Sequence, residues 1–290
     1  MSAFATTAST DDHDDHLDMR DFQRIATLIG KEVGIRLPPA KRLMVEGRLR
    51  RRLRHLQLET FADYGDYLFR KDGLERELPF LINAVTTNKT DFFREPEHFE
   101  CMEKVLVPQL LSQRGERAPI LKVWSAASST GAEAYTIAMV LADMIAAKRN
   151  FRFAVLGTDI STDVLETGRR AVYPAELVAP VPPGMQSRYL MHARRPSARP
   201  EVRIVPELRR TVRFERLNLM DPAYPFDRDV DIIFLRNVLI YFDKQDQAAV
   251  ITRLVGHLRP GGYLLLGHSE SMIGTSITMR QIAPAVFQKV

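Results

Sequence analysis

Along residues 20–88 apolar positions recur at helical spacing, and four stretches read as helices. "DMRDFQRIATLIGKEVG" begins acidic and stops at Gly34, and "PPAKRLMVEGRLRRRLRHLQL" carries Pro38 and Pro39 near its start. In the second stretch Val45, Leu49, Leu53 and Leu56 share a face, which predicts a buried stripe with Arg48, Arg50, Arg51 and Arg54 turned largely away. "TFADYGDYLFR" and "LERELPFLINAVTT" continue the pattern, so 20–88 is expected to be a short α-helical domain. Residues 1–19 are polar and acidic, the composition of a disordered tail. His13 and His16 among its aspartates raise metal binding, but no second ligand cluster completes a site, and a solvated tail is the better reading.

From about residue 120 the rhythm changes. "ILKVWSA", "FRFAVLGTD", "TVRFERLNL", "DVDIIFLRN" and "GGYLLLGHS" are near-continuous apolar runs suited to strands buried on both faces. Helical stretches at 133–147, 161–171 and 243–258 alternate with them, which predicts an α/β, doubly wound parallel sheet over 89–290. "AVFQKV" supplies a last strand, antiparallel at the end. Residues 174–210, rich in Pro and Arg, are too long for a simple connection and read as a small inserted β-subdomain, with "SRYLMHA" and "EVRIV" as its strands.

Composition narrows the class. With 290 residues, 45% of them hydrophobic, the chain can bury a real core, and no apolar run approaches the roughly eighteen residues of a membrane span. The N-terminus lacks the basic start and apolar stretch of a secretory signal. Cys101 is the single cysteine, so no internal disulfide forms and a reducing cytoplasm fits. A net charge of +5 and a pI near 9.4 point to an acidic partner.

The first strand ends in a run of small residues, Ser125 to Gly131, that opens a helix. Ligands of such sheets lie at the carboxyl ends of the strands, where strand order switches. The turn is no phosphate loop, because Lys and Ser/Thr do not follow the glycine, and it lacks the G-x-G-x-x-G of dinucleotide binders. Asp159 ends the second strand, where a carboxylate can accept from both ribose hydroxyls. Asn218 ends the third strand, and Arg236 and Asn237 end the fourth. These features describe a site for a nucleoside with a cationic or amino-acid tail, and S-adenosylmethionine is such a molecule.

"TTNKTDFFRE", "VWSAASSTGAEAYTIA", "GTDIS" and "FLRNVLIYFDK" resemble, in order and spacing, the chemotaxis receptor methyltransferases of the CheR family. The likeness runs from about residue 20 to the end and includes the basic helix and the insertion. It implies an N-terminal helical receptor-recognition domain joined to an S-adenosylmethionine-binding methyltransferase domain. It further implies methyl transfer to glutamate carboxylates of membrane chemoreceptors, giving glutamate methyl esters and S-adenosylhomocysteine for chemotactic adaptation. The resemblance places Asn88, Thr90 and Arg94 over the cofactor, Glu133 at its amino group and Asp159 at its ribose. Asn218, Leu219, Leu235, Arg236 and Asn237 would surround the adenine and the sulfonium, with Arg94 and Tyr241 acting beside the methyl group. On the basic helix Arg48, Arg51, Arg52 and Arg54 would meet acidic receptor helices. Ala132 and Ala134 stand where relatives often have Glu and Pro, a departure that would weaken cofactor affinity.

The implied protein is a cytoplasmic monomer acting on the cytoplasmic domain of its receptors, with no metal, no nucleic acid and no membrane insertion. Taken singly, Glu133 is an ordinary first-turn acid, Asp159 a helix-capping acid, Arg94 a partner for Glu95 or Glu97, and Tyr241 core. His98, His257 and His268 show no metal or triad spacing and read as packing or surface residues, while Glu270 has no role legible in the sequence. Two rivals remain. A base-amino methyltransferase would show an N/D-P-P-Y/F turn where this chain has "RNVLIY". The second rival is a non-catalytic nucleotide-binding or scaffold protein; retained Glu133 and Asp159 argue against lost cofactor binding, and turnover is what separates the two readings.

Overall fold

The computed structural model describes residues 15–114, 118–147, 149–192, 198–272 and 277–290. The chain forms two compact units: residues up to Lys31 with Leu37–Val85, and Glu32–Arg36 with Thr86–Val290.

The first unit is built on helices α1 (Met19–Val33), α2 (Arg42–Leu56), α3 (Phe61–Arg70) and α4 (Leu74–Val85). α1 stops where Gly34 turns left-handed at φ 71°, as its sequence predicts. α3 starts with a capping box: Thr60 Oγ1 accepts from Asp63 N, and Asp63 Oδ2 accepts from Thr60 N. The buried face of α2 differs from the expected stripe. Val45, Leu49 and Leu53 are buried, Leu56 is only half-buried, and Glu46 goes inside instead. Glu46 is tolerated there because Arg50 (3.0 Å), Leu17 N (3.2 Å) and His16 (3.0 Å) satisfy its oxygens. Those contacts also hold residues 15–18, which differ from the disordered tail expected through residue 19. Leu17 is buried, and both Asp15 carboxylate oxygens accept from Phe61 N at the start of α3. His16 is thus tied to the helical unit through Glu46, while His13 and residues 1–14 lie outside the described residues.

A second buried acid revises the basic face. Glu77 on α4 is fully buried, and Arg52 reaches it through Nε (2.6 Å) and Nη2 (2.9 Å) while Tyr64 donates to it at 3.1 Å. The Arg52 guanidinium also lies 3.5 Å over the Phe80 ring. Arg52 therefore clamps α2 to α4, which corrects its expected place among receptor-facing charges. Arg48, Arg51 and Arg54 are exposed.

The second unit carries the sheet. Its strands are β1 (Ile120–Ala126), β2 (Arg152–Asp159), β3 (Val172–Pro174), β4 (Leu190–His192), β5 (Glu201–Ile204), β6 (Val212–Arg216), β7 (Val230–Leu235), β8 (Leu258–Leu266), β9 (Met279–Ala283) and β10 (Val286–Lys289). The main sheet has the order β6-β2-β1-β7-β8-β10-β9, parallel from β6 to β8 and antiparallel at β10 and β9. All six residues of β7 are buried, Asp231 included, as its near-continuous apolar run predicts. Chain order reverses between β1 and β7, so the switch point lies where the small-residue turn was expected to face a ligand.

Helices α5 (Pro96–Cys101) and α6 (Val107–Gln113) flank a π-helical turn at Met102–Leu106, and α7 (Ala132–Ala146), α8 (Thr162–Arg170), α9 (Pro183–Tyr189), α10 (Pro206–Arg209) and α11 (Lys244–His257) follow. The insertion folds as the antiparallel sheet β3-β5-β4. "SRYLMHA" is a strand only over Leu190–His192, its first residues ending α9, and β3 begins before the expected subdomain. β9 was not legible as a strand. Gly131 and Gly157 both serve packing: a Cβ on either would meet the Phe214 ring at 2.6 and 2.7 Å. In the turn, then, smallness lets α7 and α8 close on the sheet.

Candidate functional site

The turn after β1 runs through left-handed residues at Ala127 (φ 58°), Ser129 (φ 50°) and Gly131 (φ 88°) before α7 starts. Asp159, at the end of β2, fixes this shape. Its Oδ2 accepts from Ser129 N and its Oδ1 from Ser161 N, each at 2.9 Å. Burial pushes the Asp159 carboxyl up, against the pull of these amides. Each oxygen keeps a second lone pair, so the group can still accept from a pair of hydroxyls. Ser129 Oγ donates to Asn88 O at 2.9 Å, bringing the Asn88 segment to the turn, and Asn88 Nδ2 donates to Thr86 Oγ1 at 3.2 Å. Thr90 is half-buried in the same segment. The hydroxyls of Ser128, Thr130 and Ser161 are buried here with no hydrogen-bond partner among the described residues.

Arg236 is the hub of the other half. Its side chain is 2% exposed, and Nη1 lies 3.0 Å from Glu133 Oε2 in the first turn of α7. Nη2 meets Glu95 Oε2 at 3.1 Å and also donates to the Arg94 carbonyl. Ser125 Oγ donates to Glu133 Oε1 at 2.6 Å, and Asn237 Nδ2 donates to Glu95 Oε1 at 3.1 Å. Burial pushes the Glu133 carboxyl above its ordinary value despite Arg236 and Ser125. Glu95 goes the other way: burial raises it, but the Asn237 amide and the Arg236 guanidinium outweigh that and hold it low. Glu133, expected to be open for an ammonium group, thus already carries a donor on each oxygen. Its remaining lone pairs are what a ligand can use.

Asn218 spends its side chain locally, accepting from Met220 N at 3.0 Å and donating to Glu32 O at 2.7 Å. Leu219 and Leu235 are buried, and the Leu219 carbonyl takes Tyr224 Oη and Arg253 Nη2. Arg94 is half-buried, with Nη1 at 3.3 Å from Lys89 O. Tyr241 ends a 3₁₀ turn, Leu239–Tyr241, and its carbonyl accepts from Arg36 N at 3.0 Å. The segment Glu32–Arg36 is therefore tied to both Asn218 and Tyr241. Nothing in its own composition signalled this, because the ties run from its backbone to positions far along the chain. Arg48, Arg51, Arg52 and Arg54 belong to the helical unit.

Among the described residues one set of side chains has metal-ligand proximity: Glu95, His98 and His268. Their separation in sequence hid it. Glu95 Oε2 lies 3.5 Å from His98 Nδ1 and 4.0 Å from His268 Nε2. Arg236 already occupies Glu95, however, and its charge opposes a second cation there. The same charge, after burial, helps push His98 down to about 4.

The family model described as "CheR methyltransferase, SAM binding domain" matches residues 88–286, and "CheR methyltransferase, all-alpha domain" matches residues 20–86. The chain belongs to the CheR methyltransferase family and is an S-adenosylmethionine-dependent methyltransferase. It is 37% identical over 272 residues to chemotaxis protein methyltransferase 2 of Pseudomonas aeruginosa, covering 94% of each chain. It is 41% identical over 250 residues to a chemotaxis protein methyltransferase of Escherichia coli, covering 86% of this chain and 84% of that one. A chemotaxis protein methyltransferase of Borreliella burgdorferi is 34% identical over 272 residues, with 93% and 94% covered.

Proposed function

We propose that the protein transfers a methyl group from S-adenosylmethionine to glutamate side-chain carboxylates of chemoreceptors, giving methyl esters and S-adenosylhomocysteine. The observation that carries this reading is similarity over nearly the whole length, helical unit included, to relatives named chemotaxis protein methyltransferases. No described helix is long and apolar enough to cross a membrane. The proposed protein acts as a monomer on the cytoplasmic part of its receptors.

When bound, S-adenosylmethionine supplies a methyl group already activated by its sulfonium charge. The acceptor carboxylate is anionic at neutral pH, so no general base is required of the protein. The protein's contribution is alignment and exclusion of water. Asp159 would hold a ribose through its free lone pairs, with Asn88 and Thr90 beside it. Glu133, braced by Ser125 and Arg236, would hold the ammonium of the amino-acid tail. Leu219, Leu235 and Asn218 would form the wall around the adenine. Arg94 and Tyr241 orient the incoming carboxylate, and Arg94 does so without fully neutralising it, which would blunt its nucleophilicity. Transfer of labelled methyl groups to receptor-rich membranes, compared with RNA and DNA, tests the proposal. Label in nucleic acid and none in receptors overturns it.

A further inference from the structure

We propose that Glu270 is a positioning residue for methyl transfer, acting through the turn that carries Tyr241. Its Oε1 accepts from Val238 N at 2.8 Å and Leu239 N at 2.7 Å. Its Oε2 accepts from Asn237 N at 2.9 Å and Gly267 N at 2.7 Å. Three successive amides leaving β7 and one leaving β8 thus converge on a single carboxylate, which is only 9% exposed. Such a concave run of N–H groups is an anion site, and here the chain supplies the anion itself.

The arrangement is specific to this residue type. Asn237 is held left-handed at φ 57°, a conformation that persists in a non-glycine residue when its surroundings enforce it. Position 267 leaves no room for a side chain: a Cβ would stand 2.8 Å from Glu270 Oε2 and 2.9 Å from Asn237 N. Glutamine presents one acceptor oxygen and would aim its NH₂ at the remaining pair of amides. Aspartate is a methylene shorter. The clamped segment lies between Arg236, which holds Glu133, and Tyr241, which closes the same 3₁₀ turn. Arg236 stays held by Glu133 and Glu95, so loss of the clamp chiefly frees Tyr241 to drift, and small misplacements of aligning groups are costly in a reaction run on alignment.

The inference rests on the acceptor-side role proposed for Tyr241, and the tests separate the two. In the full-length protein, Glu270→Gln should stay folded by near-ultraviolet circular dichroism. It should lose about ten- to a hundred-fold in kcat, with a much smaller change in KM for S-adenosylmethionine. Tyr241→Phe should cost far less in the Glu270→Gln background than in wild type, because one residue acts through the other. Wild-type kcat in folded Glu270→Gln, or effects of the two substitutions that simply multiply, overturns the proposal. Hydrogen exchange of the unmutated protein reads the contact whether or not any variant folds. The Val238 and Leu239 amides should be strongly protected, and exchange at the rate of free amides also overturns it. If wild type transfers nothing to receptors while that protection holds, the acceptor reading fails and the clamp stands.

Discussion

Arg236 Nη1 lies 3.0 Å from Glu133 Oε2, linking the end of β7 to the first turn of the helix after β1. Both groups are largely removed from solvent, and Arg236 also serves Glu95 and the Arg94 carbonyl. Removing the cation leaves two buried carboxylates facing each other. Arg236→Met should therefore destabilise the protein by about 3–5 kcal/mol, read from urea unfolding. Lysine should not restore the loss, because a single ammonium cannot reproduce the planar fork. A cost below about 1 kcal/mol, the level of an exposed pair, would show that the network is incidental.

Asp159→Ala should weaken S-adenosylmethionine binding by about 1.5–3 kcal/mol, the loss of hydrogen bonds to a charged acceptor. Calorimetry measures this directly. Unchanged affinity would remove Asp159 from the ligand's contacts and leave it only the turn-fixing role seen at Ser129 and Ser161.

His98 predicts a pH dependence of stability. Burial, then the Arg236 charge, lower its pKa from 6.5 to about 4, so the native state keeps it neutral where the unfolded chain takes up a proton. The contribution is fully present above pH 6.5 and is lost as pH falls toward 4. It amounts to about 3 kcal/mol across that window. Glu95 and His268 share its surroundings, so the comparison has to be with His98→Gln. The stability gap between wild type and variant should shift against wild type as pH falls through that range. Parallel curves would place the proton elsewhere.

The arginines of α2 should divide into two kinds. Charge reversal at exposed Arg48 and Arg51 should raise KM for receptor fragments, more at low salt than at moderate salt, and leave cofactor affinity unchanged. Arg52→Ala should instead unfold the helical unit, by about 3–5 kcal/mol, because Glu77 would be stranded without its cation. Normal receptor methylation by the charge-reversed protein at both salts would exclude Arg48 and Arg51 as docking charges.

What was legible in the sequence was local. The near-continuous apolar run of β7, the stop at Gly34 and the alternation of strands with helices follow from short-range periodicity and backbone preference, and the sheet has the expected parallel core. Asp159 and Glu133 could be placed at a strand end and a helix start because each lies beside its element's boundary. Their partners were not legible, since Arg236 and Glu133 are brought together only by the crossover that sets β7 beside β1. The same holds for Arg52 with Glu77, His98 with His268, and Glu270 with the amides after β7. An isolated arginine on a helix looks like surface charge until the buried acid opposite it is known. β9 escaped because its five residues alternate weakly and none is fully buried.

The central claim is that the methyl group goes to a carboxylate oxygen of a receptor. The most direct measurement treats receptor fragment, labelled by the purified protein and S-adenosylmethionine, with mild base and collects the volatile label. A glutamate methyl ester hydrolyses to release its label as methanol, so nearly all counts should leave the receptor. Counts that stay with the protein through base would mark methyl groups on nitrogen and contradict the account.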